Sequence, residues 1–476
     1  MTVQPDEAAA GVVSGSFRDP DGRVFLVGDD VRRVLSAEGL TDFEALRASG
    51  LLDDPRLVRT ELLVDAAAPA LLETSAAAVL RHERVPFISY PYEWTYSMLR
   101  DAALLQLGLL EDALDRQLML KDASPYNVQF WGSEPRFIDI GSFERLRESE
   151  LWVGYRQFCM LFLYPLLLQA TKGLDLQPPL RGSLEGISPT QMRAMMSLRD
   201  RLRRGYLTHV FLHARLDGRE GPDRQRMSAR LDRPGLGRQI IRANVRKMRR
   251  MVERMHWDPP HTVWTEYDDH NTYSATDVTW KETFVRHAVV ATRPRLVWDL
   301  GANTGRHSRV AAKTAPCVVA MDSDHATVER LYRDLRAEGD RRVLPLVVDL
   351  SNPSPRLGWR NEERLALLDR GRPDVVLALA VVHHLTIAAN VPLRDVVRWL
   401  GELGGALVVE FPTREDPMVQ KLLRGKRPGL HTDYDVELFE RHLDEHFDVR
   451  RRVVLSSGTR VLYFAVPRKQ QLTVTP

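Results

Sequence analysis

The sequence predicts two domains. The second is α/β, a doubly wound, mostly parallel seven-stranded sheet with an antiparallel last strand, and the first is a smaller α+β module. Three observations lead there. At 476 residues the chain exceeds the size at which one hydrophobic core stops growing. Residues 218 to 237, GREGPDRQRMSARLDRPGLG, are rich in Gly, Pro and charge and poor in aliphatics, as an interdomain linker is. Beyond them, apolar runs of strand length alternate with helix-compatible stretches. We therefore divide the chain into an amino-terminal module, 14 to 217, a basic linker and helix, 218 to 255, and a carboxy-terminal domain, 256 to 468.

The elements of the second domain follow in order. RLVWDL, CVVAMD, VLPLVV, DVVLALAVV and ALVVEF read as strands, separated by helical stretches such as DHATVERLYRDLRAE and VPLRDVVRWLGEL. Their hydrophobicity is continuous rather than alternating, so both faces of the sheet are covered and the strands run parallel. FDVRRRVVLSS and GTRVLYFAVPR, joined by a short Ser-Gly turn, read as a closing antiparallel hairpin.

Bulk properties set limits on function. Two cysteines, Cys159 and Cys317, are too few for a disulfide framework and lack metal-ligand spacing, which fits a reducing cytoplasm. The first residues, MTVQPDEAAAGVV, carry no signal-peptide pattern. FCMLFLYPLLL, at 158 to 168, is too short to span a bilayer and reads as a buried helix, so no membrane partner is expected. Net charge is only +3, yet Arg199 to Arg254 holds 17 Arg and Lys against 6 Asp and Glu. A solvated helical face explains this run better than a nucleic-acid patch, because aromatics are not interleaved and no nucleic-acid module is recognisable. RNA binding through Arg246, Lys247, Arg249 and Arg250 stands as the alternative.

WDLGANTGRHS, at 298 to 308, lies where the first strand of the second domain hands over to a helix. There an open α/β sheet binds its ligand. Gly301 and Gly305 permit a tight turn and close approach of a ligand, while Asn303 stands where the dinucleotide pattern GxGxxG has its middle glycine. The second strand ends in Asp322, placed for ribose hydroxyls, and the third in Asp349, placed for an adenine amino group. With Asp299 these residues resemble the class I S-adenosylmethionine-dependent methyltransferases. The resemblance implies that Asp299, Gly301, Asn303 and Gly305 hold the methionine part of S-adenosylmethionine, Asp322 the ribose and Asp349 the adenine. A dehydrogenase is the rival reading, and it would want the third glycine.

The loop after the fourth strand, LALAVVHHLTI, faces the reacting atoms in that family, making His383 and His384 candidates for a general base. Glu410, in VVEFPTREDP, stands at the end of the fifth strand on the same side. Tyr273 and Lys281, in HNTYSATDVTWKETFVRHA, lie on a lid-like helix where either could meet the cofactor's carboxylate. The Asn/Asp-Pro-Pro-aromatic signature of amine methylation is absent from this loop, which lowers the case for methylation of a nucleic-acid base amine or an amide; the expected acceptor is an unidentified small molecule or peptide.

In the amino-terminal module, LMLKDASPYNVQFWGSEPRFIDIGSFE places Asp122 five residues before Asn127, and Asp139 twelve later, around a small hairpin. That spacing resembles the protein-kinase-like fold, aminoglycoside kinases included. By that likeness Asp122 is the base and Asn127 and Asp139 are metal ligands. FISYPYEWTYSMLRDAALLQLGLLEDALDRQ would supply an interlobe strand and the following helix. A Gly-rich loop is missing, and RVFLVGDDVRRVL reads as a reduced hairpin with Arg in place of the phosphate-clamping Lys. The module is therefore expected to bind substrate or a partner; a bifunctional kinase-methyltransferase and a non-catalytic cofactor-binding protein remain as alternatives. The whole arrangement is similar to bacterial two-part methyltransferases loosely linked with nodulation-type and secondary-metabolite enzymes, which implies specialised metabolism or modification of a cell-surface or peptide product.

Overall fold

The computed structural model describes residues 11–64, 75–147, 152–203, 205–217, 236–260, 275–427 and 429–468. They fall into two compact units. Unit 1 comprises Met1–Phe130, Pro135–Asp258 and Arg356–Arg364; unit 2 comprises Trp131–Glu134, Pro259–Pro355 and Leu365–Pro476.

Unit 1 opens with an antiparallel sheet of β1 (Gly11–Val12), β2 (Gly22–Val27), β3 (Asp30–Leu35), β4 (Thr60–Leu63) and β5 (Ala78–His82), ordered β1-β2-β3-β5-β4. RVFLVGDDVRRVL forms the expected hairpin: Val27 pairs with Asp30, and Gly28 takes the left-handed turn conformation with φ 59°. Helix α1 (Ala37–Ala48) follows, its first turn capped by the Ser36 hydroxyl, which accepts the Gly39 N–H. The longer α2 (Tyr96–Asp115) is capped likewise by Thr95. Next come β6 (Leu118–Leu120), β7 (Val128–Trp131), β8 (Glu134–Phe137) and β9 (Phe143–Arg145), paired β6 with β9 and β7 with β8.

The strand expected ahead of α2 does not form. FISYPYEWT is a non-repetitive segment with one 3-10 turn at Pro91–Glu93. Gln129 satisfies both backbone groups of Ser89, accepting its N–H and donating to its carbonyl, each at 2.9 Å, so no neighbouring strand is needed. The apolar run at 158 to 168 is a buried helix, as expected, loosened into a π turn at Cys159–Leu163 just ahead of Pro165. Among the described residues no helix is long and apolar enough to cross a membrane.

The basic segment yields α3 (Leu236–Glu253). Ile241, Val245, Met248 and Val252 recur at helical spacing and are buried. Arg242 pairs with Asp115 and Arg249 with Glu111 of α2, while Arg246, Lys247 and Arg250 face solvent.

Unit 2 begins with α4 (Ala275–Thr292), whose Phe284, Val285, Ala288 and Val289 enter the core. Then come β10 (Leu296–Leu300), α5 (Arg306–Ala311), β11 (Cys317–Asp322), α6 (His325–Glu338), β12 (Val343–Val347), β13 (Val375–Ala378), α7 (Leu393–Glu402), β14 (Ala406–Pro412), α8 (Pro417–Leu423), α9 (Val436–His446), β15 (Phe447–Val454) and β16 (Arg460–Pro467). They build a seven-stranded sheet ordered β12-β11-β10-β13-β14-β16-β15. β10 to β14 pair in parallel, and β16 runs antiparallel between β14 and β15. The fourth apolar run is only partly strand. Ala380, at φ 57°, turns the chain out of the sheet and begins the loop that carries the two histidines.

Candidate functional site

The strand order of unit 2 reverses at β10, with β11 and β12 to one side and β13 and β14 to the other. Outside the carboxyl ends of the strands, such a reversal opens a crevice. The turn leaving β10 is left-handed at Gly301 (φ 72°), Asn303 (φ 50°) and Gly305 (φ 79°). The glycines are also required by packing. A Cβ at Gly301 would come within 2.5 Å of Val381, and one at Gly305 within 2.6 Å of Leu331.

Asp322 holds this turn. One of its carboxylate oxygens accepts the Asn303 N–H and the other the Asp324 N–H, both at 2.9 Å. Asp324 in turn caps α6 by accepting the Thr327 N–H at 2.8 Å. Asp349 lies two residues beyond the end of β12, exposed, and closes a small turn by accepting the N–H and hydroxyl of Ser351.

Asp299 is buried in β10 and accepts the Ser308 hydroxyl at 2.6 Å. Burial, and secondarily the negative charge of Asp322, push its carboxyl up to about 6. Lys281, on α4, is sealed inside rather than on a surface: its ammonium lies 2.8 Å from Glu410, and burial lowers its pKa even beside that carboxylate. Glu410 also meets Arg460 at 3.2 Å, and Arg460 continues to Asp416 at 2.7 Å. Register explains the pairing. Glu410 stands opposite Leu462 and Pro412 opposite Arg460, so Glu410 and Arg460 are diagonal neighbours on one face.

The rings of His383 and His384 lie against each other, tilted by 43°, with centroids 4.1 Å apart. His383 is fully buried, and neither of its ring nitrogens has a hydrogen-bond partner among the described residues. Burial, then His384 and Arg460, hold it well below its ordinary pKa; burial and Arg460 bring His384 down to about 4. Both are neutral at pH 7 and present an acceptor nitrogen. His307, unremarked in the sequence, stands beside the Lys281–Glu410 pair, and burial with the Lys281 charge lowers it to about 3. Tyr273 lies outside the described residues.

In unit 1 the spacing-derived triad comes together. Asn127 donates to the Ser142 hydroxyl at 3.1 Å, and that hydroxyl donates to Asp139 at 2.5 Å. Burial, then the charge of Asp139, raises the pKa of Asp122. Arg33, from the hairpin strand β3, reaches Asp139 at 2.6 Å.

No family model matches the chain. It is 34% identical over 457 residues to nodulation protein NoeA of Rhizobium meliloti (strain 1021), covering 95% of each sequence. The chain belongs to the NoeA family of nodulation proteins. A match of that extent spans both units. Among solved structures the chain is similar to the N-methyltransferase NodS of Bradyrhizobium japonicum WM9 with S-adenosyl-L-homocysteine (14% identity, 43% of this chain and 91% of that one, TM-score 0.30). It is also similar to magnesium protoporphyrin IX methyltransferase of Synechocystis PCC 6803 (18%, 43% and 93%, TM-score 0.30) and to the bifunctional kinase-methyltransferase WbdD (18%, 42% and 41%, TM-score 0.29).

Sequence reasoning missed Ser308, His307, Asp416 and Arg460. Ser308 follows the glycine turn by three residues and was legible. Arg460 lies 50 residues from Glu410, and only the antiparallel register brings them together.

Proposed function

We propose that unit 2 is a methyltransferase that uses S-adenosylmethionine and acts on a small-molecule or peptide acceptor, with unit 1 selecting or presenting that acceptor. The observation that carries this reading is the left-handed turn from Gly301 to Gly305 folded onto the Asp322 carboxylate, at the point where the strand order reverses. The donor set fits the cofactor. Asp299, buried and desolvated, suits a primary ammonium; Asp322, at the strand end, suits a vicinal diol; Asp349 offers an exposed carboxylate to an exocyclic amine.

When bound, S-adenosylmethionine supplies the electrophilic methyl group. The chain's own part is orientation and removal of one proton. Neutral His383 or His384 accepts that proton from the acceptor. Glu410, fixed between Lys281 and Arg460, keeps the chamber polar and stabilises an imidazolium beside it. Tyr273 and Lys281 belong to the cofactor side by sequence position, and Lys281 acts there through Glu410.

Calorimetric titration with S-adenosyl-L-homocysteine tests the reading. The wild type is expected to bind, and Asp322→Ala to bind about 30-fold more weakly, the equivalent of ~2 kcal/mol for lost hydrogen bonds to a charged group. His383→Ala and His384→Ala, assayed separately on cell extract, are expected to bind normally while at least one loses turnover. Absence of binding by the wild type would end the proposal.

A further inference from the structure

Unit 1 gathers Asp19, Arg33, Lys121, Asp122, Asn127 and Asp139, a set that methyl transfer leaves without a task. In metal-dependent phosphoryl transfer, acidic and amide oxygens hold the cation that bridges the phosphates, and catalysis is chiefly positioning and charge neutralisation. Asp139 is not disposed that way. One carboxylate oxygen accepts from the Arg33 guanidinium at 2.6 Å and the other from the Ser142 hydroxyl at 2.5 Å. The same guanidinium lies 3.5 Å from Asp19, and the Lys121 ammonium lies 4.0 Å from the other oxygen of Asp19. Asn127 donates its side-chain N–H to the Ser142 hydroxyl, which ties it to Asp139 through that hydroxyl. Among the described residues, no group of three or more His, Cys, Asp or Glu is arranged to hold a metal ion.

Arg33 is built into this position. It sits in the middle of β3, paired with Val24 on one side and Leu80 on the other, and is buried. A Cβ at Gly141 would collide with its Nη1, so the glycine of FIDIG makes room for the guanidinium. The backbone of a central strand does not swing away, and a guanidinium does not lose its charge at any physiological pH.

We infer that Arg33 is the resident cation of unit 1, holding Asp139 and Asp19 in the place of a divalent metal ion, so that this unit binds its ligand without metal and performs no metal-dependent phosphoryl transfer. A metal ion approaching Asp139 has to displace a covalently tethered competitor and meets its fixed positive charge. A neutral ring adds to the wall: His82, on β5, is buried beside the pair, and its Nδ1 is engaged with Thr60 at 2.8 Å. A cleft lined by Asp19, Asp21, Lys121 and Gly141 lies next to this cluster, on the Asp19 side.

The test is Mn²⁺ titration of the full-length protein, read by loss of the electron paramagnetic resonance signal of free Mn²⁺. The wild type is expected to show no saturable site that depends on Asp139. Arg33→Met uncovers the oxygens of Asp139 and Asp19 and is expected to gain one, which Asp139→Asn in the same chain removes again. A wild-type site lost in Asp139→Asn overturns the inference, as does a folded Arg33→Met protein that binds no Mn²⁺. Arg33→Gln, which keeps a donor toward Asp139, replaces Arg33→Met should the latter fail to fold; if neither folds, the wild type against Asp139→Asn decides. S-adenosyl-L-homocysteine binding is measured on the same samples and is expected unchanged, which separates failure here from failure of the methyltransferase reading.

Discussion

Each unit contains a cluster of two cations and two carboxylates, and the two clusters differ in how much water reaches them. In unit 2 the side chains of Lys281, Glu410, Arg460 and Asp416 are at most 6% exposed. In unit 1 those of Asp19, Arg33, Lys121 and Asp139 are between 10% and 28% exposed. The same chemistry therefore does different jobs. Sealed charges have lost their hydration and lean on one another and on nearby donors, so the chain from Lys281 to Asp416 ties α4, β14, β16 and the cap of α8 together. Around Arg33 some water reaches and screens the carboxylates while the strand holds the guanidinium in place, so losing one partner there is expected to cost less.

The largest effect that tests this contrast is expected from Arg460→Met. It leaves Glu410 and Asp416 buried with their shared cation gone, and urea unfolding is expected to report a loss of roughly 3 to 5 kcal/mol. A loss no greater than that of the equivalent unit 1 variant would erase the distinction drawn above.

Asp299→Asn comes next, through pH. The folded-state pKa of Asp299 is raised to about 6, above the unfolded carboxylate near 4, so between those values the native state binds a proton that the unfolded state has released. Stability contributed by that proton is present at low pH and is lost as pH rises through about 6, by roughly 2 to 3 kcal/mol. Asp299→Asn keeps a partner for Ser308 and should flatten this part of the stability profile. Cofactor affinity should move the other way in the wild type, rising with pH through the same window, because an ammonium prefers the ionised carboxylate. A wild-type profile that matches Asp299→Asn would show that this burial is not felt.

Arg33→Met is expected to cost less, about 1 to 2 kcal/mol, since water reaches the carboxylates it leaves behind. Thermal unfolding of the full chain measures it. Smallest of all is the joint neutralisation of Arg246, Lys247 and Arg250 on α3, whose charges are exposed. It should shift stability by no more than about 0.5 kcal/mol, whereas Val245→Ala on the buried face should cost more than 1 kcal/mol. Equal effects from both faces would mean that the basic stripe, not the apolar one, holds this helix.

Much of unit 2 was legible because its signals are local. A continuous apolar run, an acid near its end and two glycines in the next six residues specify strand, strand end and turn without reference to the rest of the chain. The closing hairpin was legible for the same reason. The basis of the glycine requirement was less so: it arises from Val381 and Leu331, side chains that the fold carries to Gly301 and Gly305 from 80 and 26 residues away. Neither could the apolar run before the histidines show where its strand stops, because the left-handed Ala380 has no sequence signature. In unit 1 the Asp122, Asn127 and Asp139 spacing was legible, whereas the Ser142 hydroxyl that joins Asn127 to Asp139 was not, and the hairpin pattern flagged an Arg where a Lys was sought. Where a strand was expected before α2, the backbone groups of Ser89 are taken by the Gln129 side chain, a partner 40 residues away that local pattern does not reveal.

By itself, then, the amino-acid sequence determined the alternation of strands and helices in unit 2, the strand-end acids and the polar residues worth watching, since hydrophobic period and turn chemistry act over a few residues. Only the tertiary structure decided which of those polar residues face one another and how dry they are. Glu410 became a sealed partner of Lys281 and Arg460, and Asp139 the partner of Arg33, because sheet register joins distant segments and burial sets the strength of a charge.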